Sequence, residues 1–440
     1  MRAIFAERPR LESWLDILAV LAETQAELGL IPAASARSIR EHAHVDRLDL
    51  ELVARETRST GHSMLGLIRG LHRVLPREAQ EHVYYGATVQ DVTDTWTALV
   101  MRRVGAIIWR DLHALETRTL ELADQHRDTV MVGRTHGQAG APVTFGWKAA
   151  AWADDLRRHV DRLRDGAPRW LVGQLGGAVG AGAFFGDASL ELRRRFCKRL
   201  GLADPLISWL TARDRIIEFA MTLAMIAATS GRIGNEIYAL QRTEVAEVRE
   251  PAGADAVSSI TMPHKRNPEA SEHLVTLSRL VAAQAHLLLG SAIQEHERDG
   301  RGWKVEWVAL PEVCLLTGTA VAFARELLDG LEVDTARMLA NVAAQQDELA
   351  SERVLAALAA RMGKHAAQGA LQETLAAARR DGTTARAGLM ASSEVITHLS
   401  TDDLRDLLDA AADTGAAPAM VDAVLERART ARAEETNPWR

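Results

Sequence analysis

The sequence predicts an all-α protein of three helical domains with a central bundle of long helices. Three observations carry this. Segments near 10–29, 90–126, 142–165, 212–247 and 269–297 are rich in Ala, Leu and Arg, with apolar residues three and four apart, as in Ile216, Phe219, Ala220, Leu223 and Ala227. Strand patterns are few. Helical segments of roughly 30 residues exceed the ordinary globular range of about 8–20, which fits an extended bundle or helix association between subunits.

With 440 residues, 47% of them hydrophobic and 25% charged, the chain can bury a large core and divide into two or three domains. A turn at Tyr84-Tyr85-Gly86-Ala87 closes a helical N-terminal domain over 1–88. The central bundle takes 89–334, and Gly330 to Asp334 leads into a small C-terminal helical domain over 335–440. A charged tail from about Arg427 is expected to fray.

Charge and cysteine usage exclude several classes. The net charge of −7 comes from interleaved acids and bases, which argues against a nucleic-acid partner. Cys197 and Cys314 lie far apart, giving neither metal-ligand spacing nor a disulfide framework, and fit a reducing compartment. Glu7, Glu12, Asp16 and Glu23 interrupt every early apolar run, and Phe219–Ser230 falls short of a membrane span. The expectation is a soluble, cytoplasmic protein with no membrane partner.

Three stretches carry chemistry. In the first, from Tyr84 to Thr95, Thr88 caps a long helix with Asp91 three residues on, in the position of a capping-box acid. A helix N-terminus bearing a hydroxyl is also an anion site. The second is Gly133-Arg134-Thr135-His136-Gly137-Gln138-Ala139, followed by Pro142, which is expected to open another helix. The third, Ser258-Ser259-Ile260-Thr261-Met262-Pro263-His264-Lys265-Arg266-Asn267-Pro268, places a hydroxyl, an ammonium and an amide before a helix entered at Pro268-Glu269, where an anion is welcome.

Metal and phosphate-loop chemistry fit poorly. His296-Glu297 opens a zincin-like pair, but Gly300 stands where the second histidine is needed. Gly176-Gly177-Ala178-Val179-Gly180 lacks a Gly-Lys-Ser/Thr ending and follows no strand pattern, so it reads as a tight turn. No metal and no cofactor are expected.

Together the three stretches resemble the signature regions of the fumarase/aspartase superfamily. Leu15–Pro32, Arg213-Asp214-Arg215, Leu240–Glu244 and His296–Asp299 look like members known as adenylosuccinate lyase or 3-carboxy-cis,cis-muconate cycloisomerase. The resemblance implies a homotetramer with a tetrameric helical core, in which each active site collects the three regions from three subunits. It also implies cofactor-free β-elimination from a small dicarboxylate, releasing fumarate. Ser259, six residues before Lys265, matches the general base, and Lys265 and Asn267 would hold the carboxylate as it becomes an enediolate. His136 matches the general acid, and Glu272, thirteen residues after Ser259, matches the carboxylate that orients it. Thr88, Thr135, Arg134, Gln138, Met262, Tyr84, His62 and Arg213 are the further residues expected at the substrate.

Departures from the pattern bear on the substrate. Tyr84 replaces a histidine, Val89 and Ile260 each replace a serine, and the Arg-Tyr-Ser stretch that serves the nucleotide in adenylosuccinate lyases is missing, residues 8–13 being Arg-Pro-Arg-Leu-Glu-Ser. The expected reaction is therefore carbon–nitrogen cleavage of an N-substituted aspartate or nitrosuccinate rather than of adenylosuccinate. The run from Glu295 to Trp307 resembles the lactonising cycloisomerases, the first alternative, whereas His136 favours a lyase. A catalytically silent homologue is the second alternative.

Overall fold

The computed structural model describes residues 1–252, 261–262 and 264–439. The periodic segments form helices: α1 (Glu7–Glu27), α2 (Leu50–Thr60), α3 (Ser63–His72) and the long α4 (Val89–Gln125) precede a hairpin of β1 (Val130–Thr135) and β2 (Gln138–Thr144). Then come α5 (Phe145–Trp170), α6 (Asp214–Leu240), α7 (Glu269–Gly290) and α8 (Gly300–Asp329), with short helices between Thr335 and Leu407 and a final α9 (Ala417–Glu434). The described chain is 71% helix and 4% strand.

The bundle is α4 through α8. α6 lies against α5, α7 and α8, and α4 against α5 and α8. The apolar stripe of α6 explains its central place, since Ile216, Phe219, Ala220, Leu223 and Ala227 are all fully buried. Gly234 lets α7 come close: a Cβ there would stand 2.8 Å from Leu274 Cβ. α6 and α8 are each long and apolar enough to cross a bilayer, which exceeds the Phe219–Ser230 run noted from sequence; both pack within the bundle. On α7 and α8, Leu280, Leu287, Leu289, Trp307 and Val308 face outward.

The structure departs from the sequence expectations at Pro142 and at the C-terminal tail. Pro142 does not open a helix. It pairs with Val132 in the hairpin, and α5 starts at Phe145 with Thr144 Oγ1 accepting from Trp147 N at 3.0 Å. A two-stranded ribbon has only edge strands, where a missing N–H is tolerated. Residues 1–88 share one hydrophobic core with the bundle, whereas a second core unites Val342 to Ala410 with Val132 of the hairpin. The tail, finally, is docked. Arg432 meets the buried Glu116 at 2.7 Å, Glu435 meets Arg157 at 2.6 Å, and Trp439 stacks on Trp170 at 6.2 Å.

Candidate active site

The N-terminus of α4 is held by side chain and backbone together. Thr88 and Asp91 form the capping box, with Thr88 N donating to Asp91 Oδ2 at 2.9 Å. The buried Asp91 carboxylate also accepts from Gly176 N at 2.9 Å, Gly177 N at 3.0 Å and Gln174 Nε2 at 3.2 Å. The glycine run is thus a tight turn wrapped around a carboxylate: a Cβ on Gly176 would lie 2.8 Å from Gly180 O, and Gly177 and Gly180 have φ of 73° and 85°. Burial pushes the Asp91 carboxyl up, and these four donors oppose that shift.

Thr88 faces a cation. Arg298 Nη1 donates to Thr88 Oγ1 at 2.6 Å, and the same guanidinium lies 5.7 Å from the Trp303 ring. Tyr84, with a positive φ of 59°, sits beside Thr88 and Arg298, and burial pushes its phenol up, so it remains a neutral hydroxyl. His62 is exposed as the N-cap of α3. Its Nδ1 accepts from Leu65 N at 3.1 Å, which places its proton on Nε2.

His136 and Gly137 form the two-residue turn of the hairpin, with φ of 51° and 76° between the paired Thr135 and Gln138. Positive φ at both central positions is what a tight hairpin demands, and it presents Thr135, His136 and Gln138 at an exposed tip. Arg134 turns the other way. Its Nη1 and Nη2 hold the fully buried Glu247 at 2.9 and 2.8 Å, and Asn341 Nδ2 donates to the same carboxylate at 2.8 Å. Arg134 fixes the root of the hairpin.

The third stretch leads into α7. Ser259 lies outside the described residues. Met262 and Lys265 are exposed, with Lys265 N donating to Met262 O at 3.0 Å, and Asn267 Nδ2 lies 3.4 Å from Glu269 Oε1. Glu250, far back in sequence, caps α7 by accepting from Ala270 N at 3.0 Å and Ser271 N at 2.8 Å. Glu272 is exposed in the first turn of α7.

Arg213 lies inside the bundle. It is fully buried, reaching Asp94 at 2.8 Å and Glu306 at 2.6 Å, and so clamps α4 to α8 from the start of α6. Both carboxylates occupy its guanidinium fork, each with two hydrogen bonds. One chain therefore unites Thr88, Tyr84 and Arg298. Among the described residues no hydrogen bond or ion pair joins His136 to Glu272 within one chain. The supporting roles of Arg298, Glu247 and Glu250 were not assigned from sequence. The His296–Asp299 run pointed to the neighbourhood of Arg298, whereas the two glutamates carry no local signal.

This bundle, with a hydroxyl-bearing helix end, a histidine hairpin and a lysine-bearing helix entry, has the makings of an acid–base lyase. The chain belongs to the lyase family of the fumarase/aspartase superfamily. A family profile described as Lyase matches residues 1–283, and one described as Adenylosuccinate lyase C-terminus matches 348–424. The N-acetyl-S-(2-succino)cysteine lyase of Dickeya dadantii (strain 3937) is 39% identical over 97% of this chain and 94% of its own length. The nitrosuccinate lyase of Streptomyces davaonensis is 36% identical over 96% and 91%. The crystal structure of 3-carboxy-cis,cis-muconate lactonizing enzyme from Pseudomonas putida superposes with a TM-score of 0.89 at 35% identity, covering 98% of this chain and 96% of that one.

Proposed function

We propose that the protein catalyses cofactor-free anti β-elimination from a 2-substituted succinate, releasing fumarate, at sites shared between the subunits of a homotetramer. The observation that carries this reading is the Thr88–Arg298 pair at the N-terminus of α4: a hydroxyl, a guanidinium and the helix dipole converge where one substrate carboxylate would bind. In the reaction, Ser259 takes the proton from the carbon beside a carboxylate. Lys265 and Asn267 hold the enediolate charge that develops, the electron pair becomes the new C=C bond, and the bond to the leaving heteroatom breaks. His136, oriented by Glu272, protonates that heteroatom; positioned proton transfer is typically worth about 10²–10⁴ in rate.

The exposed position of His136 and Glu272 and the outward apolar faces of α7 and α8 support assembly as the step that completes the site. The relatives' names carry two leaving-group chemistries, sulfur in the succinylcysteine lyase and nitrogen in the nitrosuccinate lyase. Sulfur is the first choice, because the succinylcysteine lyase is the more similar of the two, and an N-substituted aspartate or nitrosuccinate is the second. The test is fumarate release, followed by absorbance, from S-succinyl-N-acetylcysteine, nitrosuccinate, aspartate and N-alkyl aspartates, with carboxymuconate lactonisation in parallel. Fumarate from a succinyl conjugate, abolished in Ser259→Ala and His136→Ala, is the expected result; lactonisation without fumarate, or variants within tenfold of the parent, would refute the reading.

A further inference from the structure

The hairpin that carries His136 depends on its neighbours for its direction, because a two-stranded ribbon is marginal on its own. Its register slips between Val132 and Arg134, and a Cβ on the intervening Gly133 would stand 2.6 Å from Ala141 O. A bulge of this kind bends the strand and re-aims the side chain next to it. That side chain is Arg134, two residues before His136, and its guanidinium closes on Glu247 with two bonds of 2.9 and 2.8 Å. Beyond it the tip, from Thr135 to Gln138, is exposed.

Glu247 stands where three parts of the fold meet. Its fully buried carboxylate takes the two bonds from β1 and one of 2.8 Å from Asn341, on the helix Thr335–Ala344 of the C-terminal region. Its own N–H donates to Leu240 O at the end of α6 at 3.0 Å, and its carbonyl accepts from Asp334 N at 3.0 Å. Asn341 Nδ2 also reaches Val245 O at 2.9 Å, and Arg337 Nε donates to the same carbonyl at 3.1 Å. Between these anchors Ala246 has a φ of 54°, a left-handed conformation that a residue with a Cβ keeps only where its surroundings over-determine it. A buried ion pair adds little stability over apolar packing of the same volume, whereas a planar, two-bond guanidinium–carboxylate contact fixes orientation.

We infer that Glu247 is a positioning residue for the general acid, an inference that rests on the elimination reading above. Through Arg134 it sets the aim of the hairpin tip, and through Asn341 it makes the C-terminal region part of that setting. His136 must lie within hydrogen-bond reach of the leaving heteroatom, and a displacement of about 1 Å is enough to slow such a transfer up to about 100-fold. The proton transfer belongs to the bond-breaking step, so a loosened tip lowers kcat and leaves KM in place.

The experiment combines hydrogen–deuterium exchange and steady-state fumarate release on the full-length parent, Glu247→Gln and Asn341→Ala. Glu247→Gln keeps the side chain's shape, removes its charge and leaves one oxygen to accept. Asn341→Ala removes a single donor and leaves the Arg134–Glu247 pair in place, so it carries the test if the first variant fails to fold. Amide exchange across residues 130–144 is expected to rise at least about tenfold in Glu247→Gln and about threefold in Asn341→Ala, with residues 88–95 and 269–275 unchanged. kcat should fall about 10–100-fold and about threefold respectively, with KM within about twofold of the parent. Unmoved hairpin exchange, a rise of equal size throughout the chain, an unchanged kcat, or a KM rise as large as the kcat loss would overturn the role. The two readings fail separately. A hairpin loosened by these substitutions in a protein that releases no fumarate from any conjugate sinks the elimination alone; fumarate release by the parent, with hairpin exchange and kcat unmoved in both variants, sinks the positioning alone.

Discussion

Arg298 donates to the hydroxyl of Thr88 at 2.6 Å, tying the turn before α8 to the N-terminus of α4 across 210 residues of sequence. A charge-assisted bond of this kind fixes both partners and leaves the remaining guanidinium N–H groups for an anion. Arg298→Met and Thr88→Val should each lower kcat/KM about 10–100-fold. If the two act as one unit, the double variant will be little worse than the poorer single one, whereas additive losses would show that they act independently. Thr88→Ser, which keeps cap and acceptor, should retain most activity.

Asp91 supports that end of the helix from beneath. Its carboxylate satisfies three backbone N–H groups and the Gln174 amide, so Asp91→Ala strands several buried donors at once. A loss of about 2–4 kcal/mol in urea-denaturation stability is expected, with kcat falling as Thr88 loses its fixed position. Stability within about 0.5 kcal/mol of the parent would contradict this account.

Arg213 gives a cleaner separation of structure from binding. Replacing it with Met leaves Asp94 and Glu306 as buried carboxylates without a countercharge, and breaking such a group typically costs about 3–5 kcal/mol. The expected outcome is a large drop in denaturation midpoint with KM unchanged in the fraction that remains folded. A raised KM at unchanged stability would return Arg213 to the substrate.

His159 gives the acid limb of stability a source. It is buried on α5, donates from Nε2 to Thr229 Oγ1 at 2.9 Å on α6, and accepts at Nδ1 from Arg162 at 3.1 Å. Burial first, then the nearby Arg162, opposed by Asp155 and with a smaller push from Arg158, lower its pKa to about 4 from an ordinary 6.5. Between those values the unfolded chain holds the extra proton, so stability is fully present above pH 6.5 and is lost as pH falls towards 4. His159→Gln should flatten that limb by about 3 kcal/mol, measured as unfolding free energy at pH 7 and pH 4.5. A limb of the same steepness in the variant would assign the acid sensitivity to other groups.

The sequence by itself determined the helical class, the long bundle helices and the chemically loaded stretches, because those rest on local rules. Helical periodicity marked α4 and α6, and Thr88 with Asp91 spelled out a cap that the structure contains. Local rules also misled where a residue serves two geometries. Pro142 suits a helix start and an edge strand equally, and only the pairing of Val132 with it decided between them. The charge-rich tail reads as solvated until Glu116 and Arg157, buried more than 270 residues earlier, supply its partners. Arg213 and Arg134 look alike in sequence as cations near signature regions; tertiary contact gives each a buried carboxylate. Burial and pairing energies depend on which distant groups meet, and spacing along the chain carries no such information.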